Sequence, residues 1–375
     1  MSFSVAEVHF LHNHRQDIAE VGANLSFRKA DAIKDAGIVR AAFGSMGRAV
    51  IELLQARQSG KLPTDWLMDH DSAQQATPLP VVARRAQRIE QFRPGALVHD
   101  VTCSIGTEAT GFSRYIGSDL DKSRVLMAHY NVGVPVCVAD ALQSPVSADV
   151  VIADPARRAG GRRIVSPDQL LPPLPKLLEL PGELAVKCAP GLDFSQWHGL
   201  VSVVSVAGGV KEACLYTPGL AGAERREAVV ITDRGVDVVT DLEPGAEQLA
   251  DVAGRYVIDP DGAIVRAGLV RQFAVREGLW MLDERIAYLT GDRIPAGYSG
   301  FEIEEIVPLK KLKAALQARD CGSVEILVRG VDADPDEVRR KLKLRGRRPM
   351  AAVLTRIGSQ GVALVCQARQ HANES

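Results

Sequence analysis

The chain has 375 residues, enough for two or three domains, and 46% hydrophobic with 24% charged residues is the composition of a water-soluble globular protein with a substantial core. Its 45 basic and 46 acidic residues give a formal net charge of -1, which excludes a global field that would hold it on nucleic acid or a membrane. Any polyanion site must therefore be a local patch.

Neither a membrane span nor a metal site is expected. No apolar run approaches the roughly 20 residues needed to cross a bilayer. The six cysteines lie far apart with no C-x-x-C pair, a pattern that is typical of reduced thiols and argues against structural zinc. We therefore predict a cytoplasmic protein without bound metal and without membrane contact.

The first part of the chain has helical patterning. Apolar residues recur at every third or fourth position between residues 17 and 91, and we predict an N-terminal helical domain over residues 1–75. From residue 96 onward, short apolar runs ending in Asp or Gly alternate with helical stretches. This order predicts an α/β fold with a doubly wound, mostly parallel sheet over residues 76–233, finished by antiparallel strands.

Two further segments follow the predicted sheet. Asp259–Gly262 is a strong turn signal, and a helical pattern follows it, so we predict a linking α/β region over residues 234–300. The tail, residues 301–375, has the pattern strand, helix, strand, helix and a hairpin around Gly358–Gly361. This pattern predicts a compact C-terminal α+β domain.

Four consecutive predicted strands end in an aspartate: Asp100, Asp119, Asp140 and Asp154. Ligands of open α/β sheets bind at the carboxyl edge of the strands. The second acid could accept both hydroxyls of a ribose, and the third could accept the exocyclic amine of an adenine. A single aspartate at a strand end most often caps a helix or turn, but four at matching depth favour a nucleoside site.

The turn after the first predicted strand is rich in small residues. Gly106 would let the backbone approach a ligand closely, and we expect the following helix to present free N–H groups. Aligned on the fingerprint G-x-G-x-x-G, the outer positions hold Ser104 and Ala109, which disfavours a dinucleotide. Ser104 can occupy this turn if its φ stays negative.

Taken together, Asp100–Thr107, Gly117–Asp119, Asn131, Asp140 and Asp154–Arg158 resemble the class I S-adenosylmethionine-dependent methyltransferases. The resemblance implies a Rossmann-like methyltransferase sheet, in which the first loop and the next two strand ends hold the cofactor. The cofactor, S-adenosyl-L-methionine, would then be held by Asp100, Cys103, Gly106, Asp119 and Asp140.

A narrower resemblance covers most of the chain from about residue 75 onward. Gln75–Pro78, Lys187–Gly191, Val210–Glu212, Leu342–Leu344 and Leu354–Arg356 are similar to segments of bacterial methyltransferases with a C-terminal THUMP-like domain. That likeness implies a THUMP-like tail and favours structured RNA, tRNA or rRNA, as the partner.

The fourth strand end carries the catalytic motif in this family. Amine-methylating relatives have D/N-P-P-Y/F/W there, whereas this chain has Asp154-Pro155-Ala156-Arg157. Asp154 and Pro155 would position the acceptor. Arg157 could stack through its guanidinium plane, hold a phosphate, or brace the loop by pairing with an acid.

The fifth predicted strand leaves two roles open. Lys187 could point into the pocket or cover a strand edge. Cys188 has the position of a nucleophile for carbon methylation of uridine, although cysteine there is more often inert core.

Cations concentrate in two places, a loop after the fourth strand and a run of ten residues that holds seven cations. The predicted RNA-binding residues are Arg158, Arg162, Arg163, Arg339, Arg340, Lys341, Lys343, Arg345, Arg347 and Arg348. Such density could neutralise several phosphates. Alternatively the run is a solvated helix face paired to Asp334, Asp336 and Glu337.

These inferences lead to one principal hypothesis, an S-adenosylmethionine-dependent methyltransferase acting on a base of structured RNA. A catalytically silent RNA-binding protein that retains the fold is the alternative, favoured by Ser104 and by the missing aromatic ring of the fourth motif. Methylation of a protein or small molecule leaves the basic run unexplained, and a nicotinamide oxidoreductase is the weakest reading. The nucleotide, the RNA species and the oligomeric state stay open.

Overall fold

The structure is a computed structural model that describes residues 3–156, the backbone of 158–159 and 162–163, and residues 169–245 and 252–372. The chain forms two compact units, one made of Met1–Val206 and Lys211–Gly222 and the other of Ala207–Val210 and Ala223–Ser375. The finer domain boundaries given above remain predictions.

Six helices open the first unit: α1 Val5–Asn13, α2 Arg15–Gly22, α3 Ala32–Phe43, α4 Gly47–Arg57, α5 His70–Gln75 and α6 Leu79–Phe92. Helix α1 begins where the Ser4 hydroxyl accepts from Glu7 N while Glu7 accepts from Ser4 N, a reciprocal cap. Ile18 and Leu53 are fully buried in a cluster that also contains Ile105 and Met127 from beyond the helices. The six helices therefore share one hydrophobic core with the α/β sheet region that follows them.

The α/β sheet region contains β1 Val98–Asp100, β2 Tyr115–Asp119, α7 Lys122–Val132, β3 Val136–Val138, β4 Val150–Ala153, β5 Arg158–Ala159, β6 Arg162–Arg163, α8 Leu174–Leu177, β7 Glu183–Cys188, β8 Leu200–Val206 and β9 Gly209–Tyr216. The strand order is β3-β2-β1-β4-β7-β9-β8. Strands β3, β2, β1, β4 and β7 pair in parallel, and β9 lies antiparallel against β7. The predicted doubly wound, mostly parallel sheet with antiparallel strands at its end is confirmed.

The order in which strands are added to the sheet reverses at β1, because β2 and β3 extend the sheet to one side of β1 and β4 lies on the other side. A crevice forms outside the carboxyl ends of strands at such a switch point. The ends of β1, β2, β3 and β4 therefore define where a ligand can bind.

The second unit begins with β10 Arg226–Thr232, β11 Gly235–Thr240, β12 Tyr256–Ile258, α9 Gly262–Ala267, α10 Val270–Glu277, β13 Trp280–Met281 and β14 Leu289–Gly291. It continues with β15 Ser299–Pro308, α11 Leu312–Ala318, β16 Cys321–Val328, α12 Pro335–Leu342, β17 Arg348–Ile357, β18 Gln360–Gln367 and β19 Gln370–His371. The predicted sequence of strand, helix, strand, helix and hairpin is confirmed from β15 to β18.

The strand order of this C-terminal sheet is β13-β14-β12-β15-β18-β17-β16, with β19 beside β15. Strand β16 is parallel to β17, and helix α12 crosses between them. Leu312, Leu316, Leu342 and Met350 are buried between the helices and the sheet. In the part of the chain that the structure describes, no helix is both long and apolar enough to cross a membrane.

Candidate active site

The four strand-end aspartates lie along one edge of the sheet. Asp100 is in register with Ile152 of β4, and Asp119 is in register with Val138 of β3. Ala139 N donates to the carbonyl of Asp119 at 3.2 Å, so Asp140 follows immediately beside the second strand end. The fourfold pattern in the sequence therefore corresponds to a single edge in space.

The turn after β1 connects three of these strand ends. Thr102 N donates to Asp100 Oδ1 at 3.0 Å, and Asp154 N donates to Thr102 Oγ1 at 2.7 Å. Ser104 N donates to Asp119 Oδ2 at 2.9 Å. The loop is thereby fixed to the ends of β1, β2 and β4 by hydrogen bonds that involve its own backbone or hydroxyl.

Ser104 does not meet the condition of a negative φ. Its φ is +49°, and that of Gly106 is +89°, so both residues occupy the left-handed region. Ser104 holds this conformation because its amide is bound to Asp119, while Cys103 N donates to the carbonyl of Ser118 at 2.9 Å. The segment that follows is a short 3₁₀ turn, Thr107–Gly111, in place of the expected full helix.

Gly106 and Cys103 allow the loop to pack closely against its neighbours. A Cβ on Gly106 would lie 2.9 Å from Val132 Cγ2 and 3.3 Å from Ala128 Cβ, both on α7. A Cβ on Gly117 would lie 2.9 Å from Cys103 Cβ. Cys103 is buried, and burial raises the pKa of its thiol. These contacts bring the loop against α7 and β2, and they place the Cys103 side chain in the core rather than at the edge.

Asn131, which is part of the family resemblance, joins two segments by side-chain hydrogen bonds. Its Nδ2 donates to the carbonyls of Leu67 at 2.9 Å and Ile105 at 3.1 Å, and its Oδ1 accepts from Leu67 N at 2.7 Å. It thus ties the helical region to the turn that contains Gly106.

Beside β2 and β3 the edge combines carboxylates with exposed apolar side chains. Asp119 Oδ1 accepts from Asp121 N at 2.9 Å, and Asp140 Oδ1 accepts from Leu142 N at 2.9 Å. Leu120 is 70% exposed and Val138 is 48% exposed. The sequence reasoning missed Leu120 and Leu142, although an apolar residue placed just after a strand-end acid was a usable signal.

A buried charge network lies below this edge. Arg85 of α6 is 1% exposed and donates to both carboxylate oxygens of Glu108, at 3.1 and 3.2 Å. The same guanidinium donates to Glu212 Oε1 of β9, at 2.7 and 2.9 Å. Arg85 was also missed, yet it shares the buried helix face of Val82 and Ile89 at spacings of three and four residues.

Lys187 joins this network to the predicted catalytic motif. Its Nζ lies 2.8 Å from Asp154 Oδ2 and 3.6 Å from Glu108 Oε1, and the side chain is 7% exposed. The question left open by the sequence is thereby answered, because the lysine points toward the strand ends. Burial would lower the pKa of Lys187, but Asp154 and Glu108 hold it well above its ordinary value.

The pKa values of the buried carboxyl groups are shifted in opposite directions. Burial tends to raise the pKa of Glu108, but Arg85 and Lys187 outweigh it and hold that pKa below its ordinary value. Burial, only partly offset by Arg85, raises the pKa of Glu212. Burial and the charge of Glu108 raise the pKa of Asp100 to about 7. More acids than bases are therefore confined around the end of β1.

The rest of the catalytic motif is partly described. Pro155 is buried directly after Asp154, and Ala156 N donates to the carbonyl of Leu171 at 2.7 Å. Arg157 lies outside the described residues, as do the side chains of Arg158, Arg162 and Arg163, whose backbone forms the antiparallel pair β5–β6. Their roles stay predictions. Cys188 is fully buried.

The basic run in the tail divides into two groups. Arg339 pairs with Asp336, Lys341 Nζ lies 3.1 Å from Glu337, and Arg348 lies 3.1 Å from Glu304. Arg340 donates to the carbonyl of Asp336 at 3.3 Å. Lys343, Arg345 and Arg347 follow α12, are exposed, and form no ion pair within the residues described.

Comparison with known proteins identifies the fold and the tail. Residues 298–368 match the family described as THUMP domain-like. Two Mycobacterium tuberculosis proteins, from strains CDC 1551 and H37Rv and each named an uncharacterized S-adenosylmethionine-dependent methyltransferase, are 44% identical over 362 residues, 88% of this chain and 99% of theirs. The chain belongs to the S-adenosylmethionine-dependent methyltransferases. S-adenosylmethionine is accordingly its cofactor.

A solved structure shares the architecture of the whole methyltransferase. It comes from Porphyromonas gingivalis W83, and its name assigns it provisionally to the methyltransferases. It has a TM-score of 0.67 with 19% sequence identity, covering 98% of this chain and 100% of its own. At that identity the likeness concerns the fold alone.

The edge of the sheet fits the adenosine part of this cofactor. A carboxylate has about four lone-pair sites, and Asp119 uses two of them for the amides of Ser104 and Asp121, which leaves acceptor capacity for ribose hydroxyls. The exposed faces of Leu120 and Val138 would be covered by an adenine next to Asp140. Asp119 and Asp140 would hold the cofactor from these positions.

The charge network gives a stability prediction. Arg85→Met removes the only cation that donates hydrogen bonds to both Glu108 and Glu212 among the described residues, and leaves Glu108 with Lys187 at 3.6 Å. We expect a loss of about 3 to 5 kcal/mol in the free energy of unfolding by urea. Arg48→Met is the control, since Arg48 pairs with Glu7 and Glu52 at the surface and its loss should cost at most about 1 kcal/mol. Equal losses in the two variants would contradict the role of the network.

The left-handed serine gives a second prediction. A left-handed conformation costs a residue with a side chain roughly 1 to 2 kcal/mol, and glycine loses about 0.5 to 1 kcal/mol of that gain through its greater freedom when unfolded. Ser104→Gly should therefore stabilise the methyltransferase by up to about 1.5 kcal/mol in urea unfolding. Ser323→Gly, at an exposed strand position, should destabilise it; stabilisation by both changes would refute the strain at Ser104.

Asp100 gives a pH prediction. Its pKa rises on folding from 3.8 to about 7, so between these values the folded state binds more protons than the unfolded chain. The free energy of unfolding should then fall as pH increases over this window, by at most about 1.4 kcal/mol per pH unit from this group. Asp100→Asn should flatten that fall in urea unfolding measured from pH 4 to 7, whereas the exposed Asp65→Asn should not. Parallel curves for wild type and Asp100→Asn would be evidence against a shifted Asp100.

Proposed function

We propose that this methyltransferase transfers a methyl group to a base amine of structured RNA, tRNA or rRNA. The observation that carries the chemistry is the placement of Asp154, whose amide is held by Thr102 and whose carboxylate is held by Lys187 at the edge shared with Asp119 and Asp140. The bound cofactor supplies an electrophilic methyl group on a sulfonium. What the protein must add is alignment of the acceptor.

Asp154 is suited to positioning an amine. Its side chain is 29% exposed, so an acceptor can reach it, and one of its oxygens, Oδ2, lies 2.8 Å from Lys187 Nζ. A carboxylate accepts a hydrogen bond from an amine N–H and thereby orients the nitrogen lone pair. Cys188 is fully buried, which argues against carbon methylation through that thiol. An amine is therefore the acceptor that these residues support.

RNA is supported by the second unit. The THUMP-like match over residues 298–368 includes the exposed cations Lys343, Arg345 and Arg347. In a chain with a net charge of -1 these form a local basic surface, as polyanion binding requires. A protein or small-molecule acceptor would leave that surface without a role.

The test is methylation of total RNA from a strain that lacks the gene, using cofactor with a radiolabelled methyl group and mass spectrometry of the nucleosides. We expect label in one modified base. Label in protein extract or small molecules, with none in RNA, would refute the RNA proposal. Cofactor binding with no label in any fraction would instead favour a silent RNA-binding protein.

Two variants should separate acceptor alignment from cofactor binding. Asp154→Asn should lower kcat about 10²-fold by misplacing the acceptor, with little change in cofactor affinity. Asp140→Asn should weaken cofactor binding about tenfold by calorimetry, as loss of a hydrogen bond to a charged group does. If Asp154→Asn instead impaired only cofactor affinity, Asp154 would not position the acceptor.

A further inference from the structure

The second unit contains an open groove of about 540 Å³ between helix α11 and the segment that follows α12. Lys313 and Gln317 of α11 line one side, and Lys343 and Arg345 line the other. Lys313 and Gln317 were not among the residues predicted to bind RNA, because they lie outside the basic run. The groove therefore brings together cations that are about thirty positions apart in the sequence.

Backbone hydrogen bonds fix the floor of this groove. The carbonyl of Asp320 accepts from Arg347 N at 2.8 Å and from Arg348 N at 2.9 Å, and Gly346 N donates to the carbonyl of Cys321 at 3.0 Å. A Cβ on Gly346 would lie 2.1 Å from the Asp320 oxygen, so the two segments approach as closely as only glycine permits. The lining is accordingly built before any ligand binds.

Two non-glycine residues at the groove are held in the left-handed region, Asp320 with φ +56° and Lys343 with φ +48°. Such conformations are strained for residues with a side chain and persist where surrounding contacts determine them. At Lys343 the chain leaves α12 and turns directly into the lining segment. The left-handed conformation of Lys343 thus fixes where its ammonium-bearing side chain leaves the backbone.

The charges of the groove differ from those of helix α12. Arg339 and Lys341 are paired with acids of their own helix. Lys313, Lys343 and Arg345 form no ion pair among the residues described, and Asp320 is the acid at the lining. Three cations against one carboxylate leave an excess of positive charge directed at whatever enters.

We propose that this groove binds the sugar-phosphate backbone of RNA, and that the α12 face does not. The inference rests on the proposed RNA substrate and goes beyond it, because it divides the basic run and adds Lys313 and Gln317. The lysines supply point charges and Arg345 a planar fork for phosphate oxygens. The Gln317 amide can bond a ribose hydroxyl or a phosphate oxygen. Among the described residues that line the groove there is no aromatic ring for stacking, so the groove favours a backbone rather than a base.

The test compares two double variants of the full chain that remove equal charge, Lys343→Gln/Arg345→Gln in the groove and Arg339→Gln/Lys341→Gln on α12. The probe is unfractionated tRNA, and the readout is the dissociation constant over a series of salt concentrations. Each phosphate contact contributes a slope of about 0.7 to 0.9, which is about fivefold or more in affinity at about 0.1 M salt. We expect the groove variant to lose about 25-fold and the α12 variant little, because its cations are already paired.

A single substitution tests the residue that the sequence did not indicate. Lys313→Gln should weaken tRNA binding about fivefold at about 0.1 M salt, whereas Lys310→Gln, three positions away and outside the lining, should not. Circular dichroism and cofactor affinity should be unchanged in all of these variants, since none lies at the strand edge.

The outcomes distinguish the groove from the substrate proposal. Equal losses from the groove and α12 variants would overturn the groove while RNA binding stood. A wild-type protein that fails to bind tRNA or rRNA would overturn both. Polyglutamate that binds as tightly as tRNA and depends equally on Lys343 and Arg345 would reassign the groove to an acidic protein and overturn the inference.

Discussion

The arrangement of the candidate active site depends on one buried cation. Arg85 is enclosed by Glu108 and Glu212, and Lys187 extends the same network to Asp154. Removing charges from water costs several kcal/mol per ion, and only near-ideal hydrogen bonding repays it. Arg85 meets this condition by donating to both oxygens of Glu108 while it also binds Glu212. The loop 101–106, the end of β4 and strands β7 and β9 are therefore held in one geometry.

This network links two tasks that a methyltransferase must perform together. Glu108 belongs to the 3₁₀ turn after the loop that is predicted to hold the cofactor, and Asp154 begins the predicted catalytic motif. Lys187 lies within 4 Å of both carboxylates, so a shift of either one changes the electrostatic environment of the other. Alignment of donor and acceptor is a matter of relative position, and Lys187 constrains that position because it pairs with both Glu108 and Asp154.

The fold and the location of the site were accessible from the sequence, because strand periodicity and strand-end acids are local signals. Asp100, Asp119, Asp140 and Asp154 each close a short apolar run, and the parallel topology then places them on one edge. Arg85 and Glu212 were not accessible in the same way. They are 127 positions apart, and their pairing exists only once the sheet has formed.

The left-handed conformation of Ser104 was not accessible from the sequence for a related reason. Residue preference favours a negative φ for serine, but the carboxylate of Asp119 and the carbonyl of Ser118 hold the loop in a shape that preference alone would not choose. The basic run in the tail could likewise be predicted only in part from the sequence. Charge density was visible in the sequence, whereas the division into cations paired within α12 and cations lining a groove depends on where the chain turns at Lys343.

Strand β9 has a consequence for how the protein is made. It is inserted between β7 and β8, and it carries Glu212 to Arg85, which emerges from the ribosome far earlier. Until β9 docks, the guanidinium lacks one of its two carboxylate partners, so the buried face of α6 cannot complete its packing during synthesis of the first two hundred residues. Because a contact so distant in sequence must await most of the chain, maturation of the cofactor site should be a late step in biogenesis.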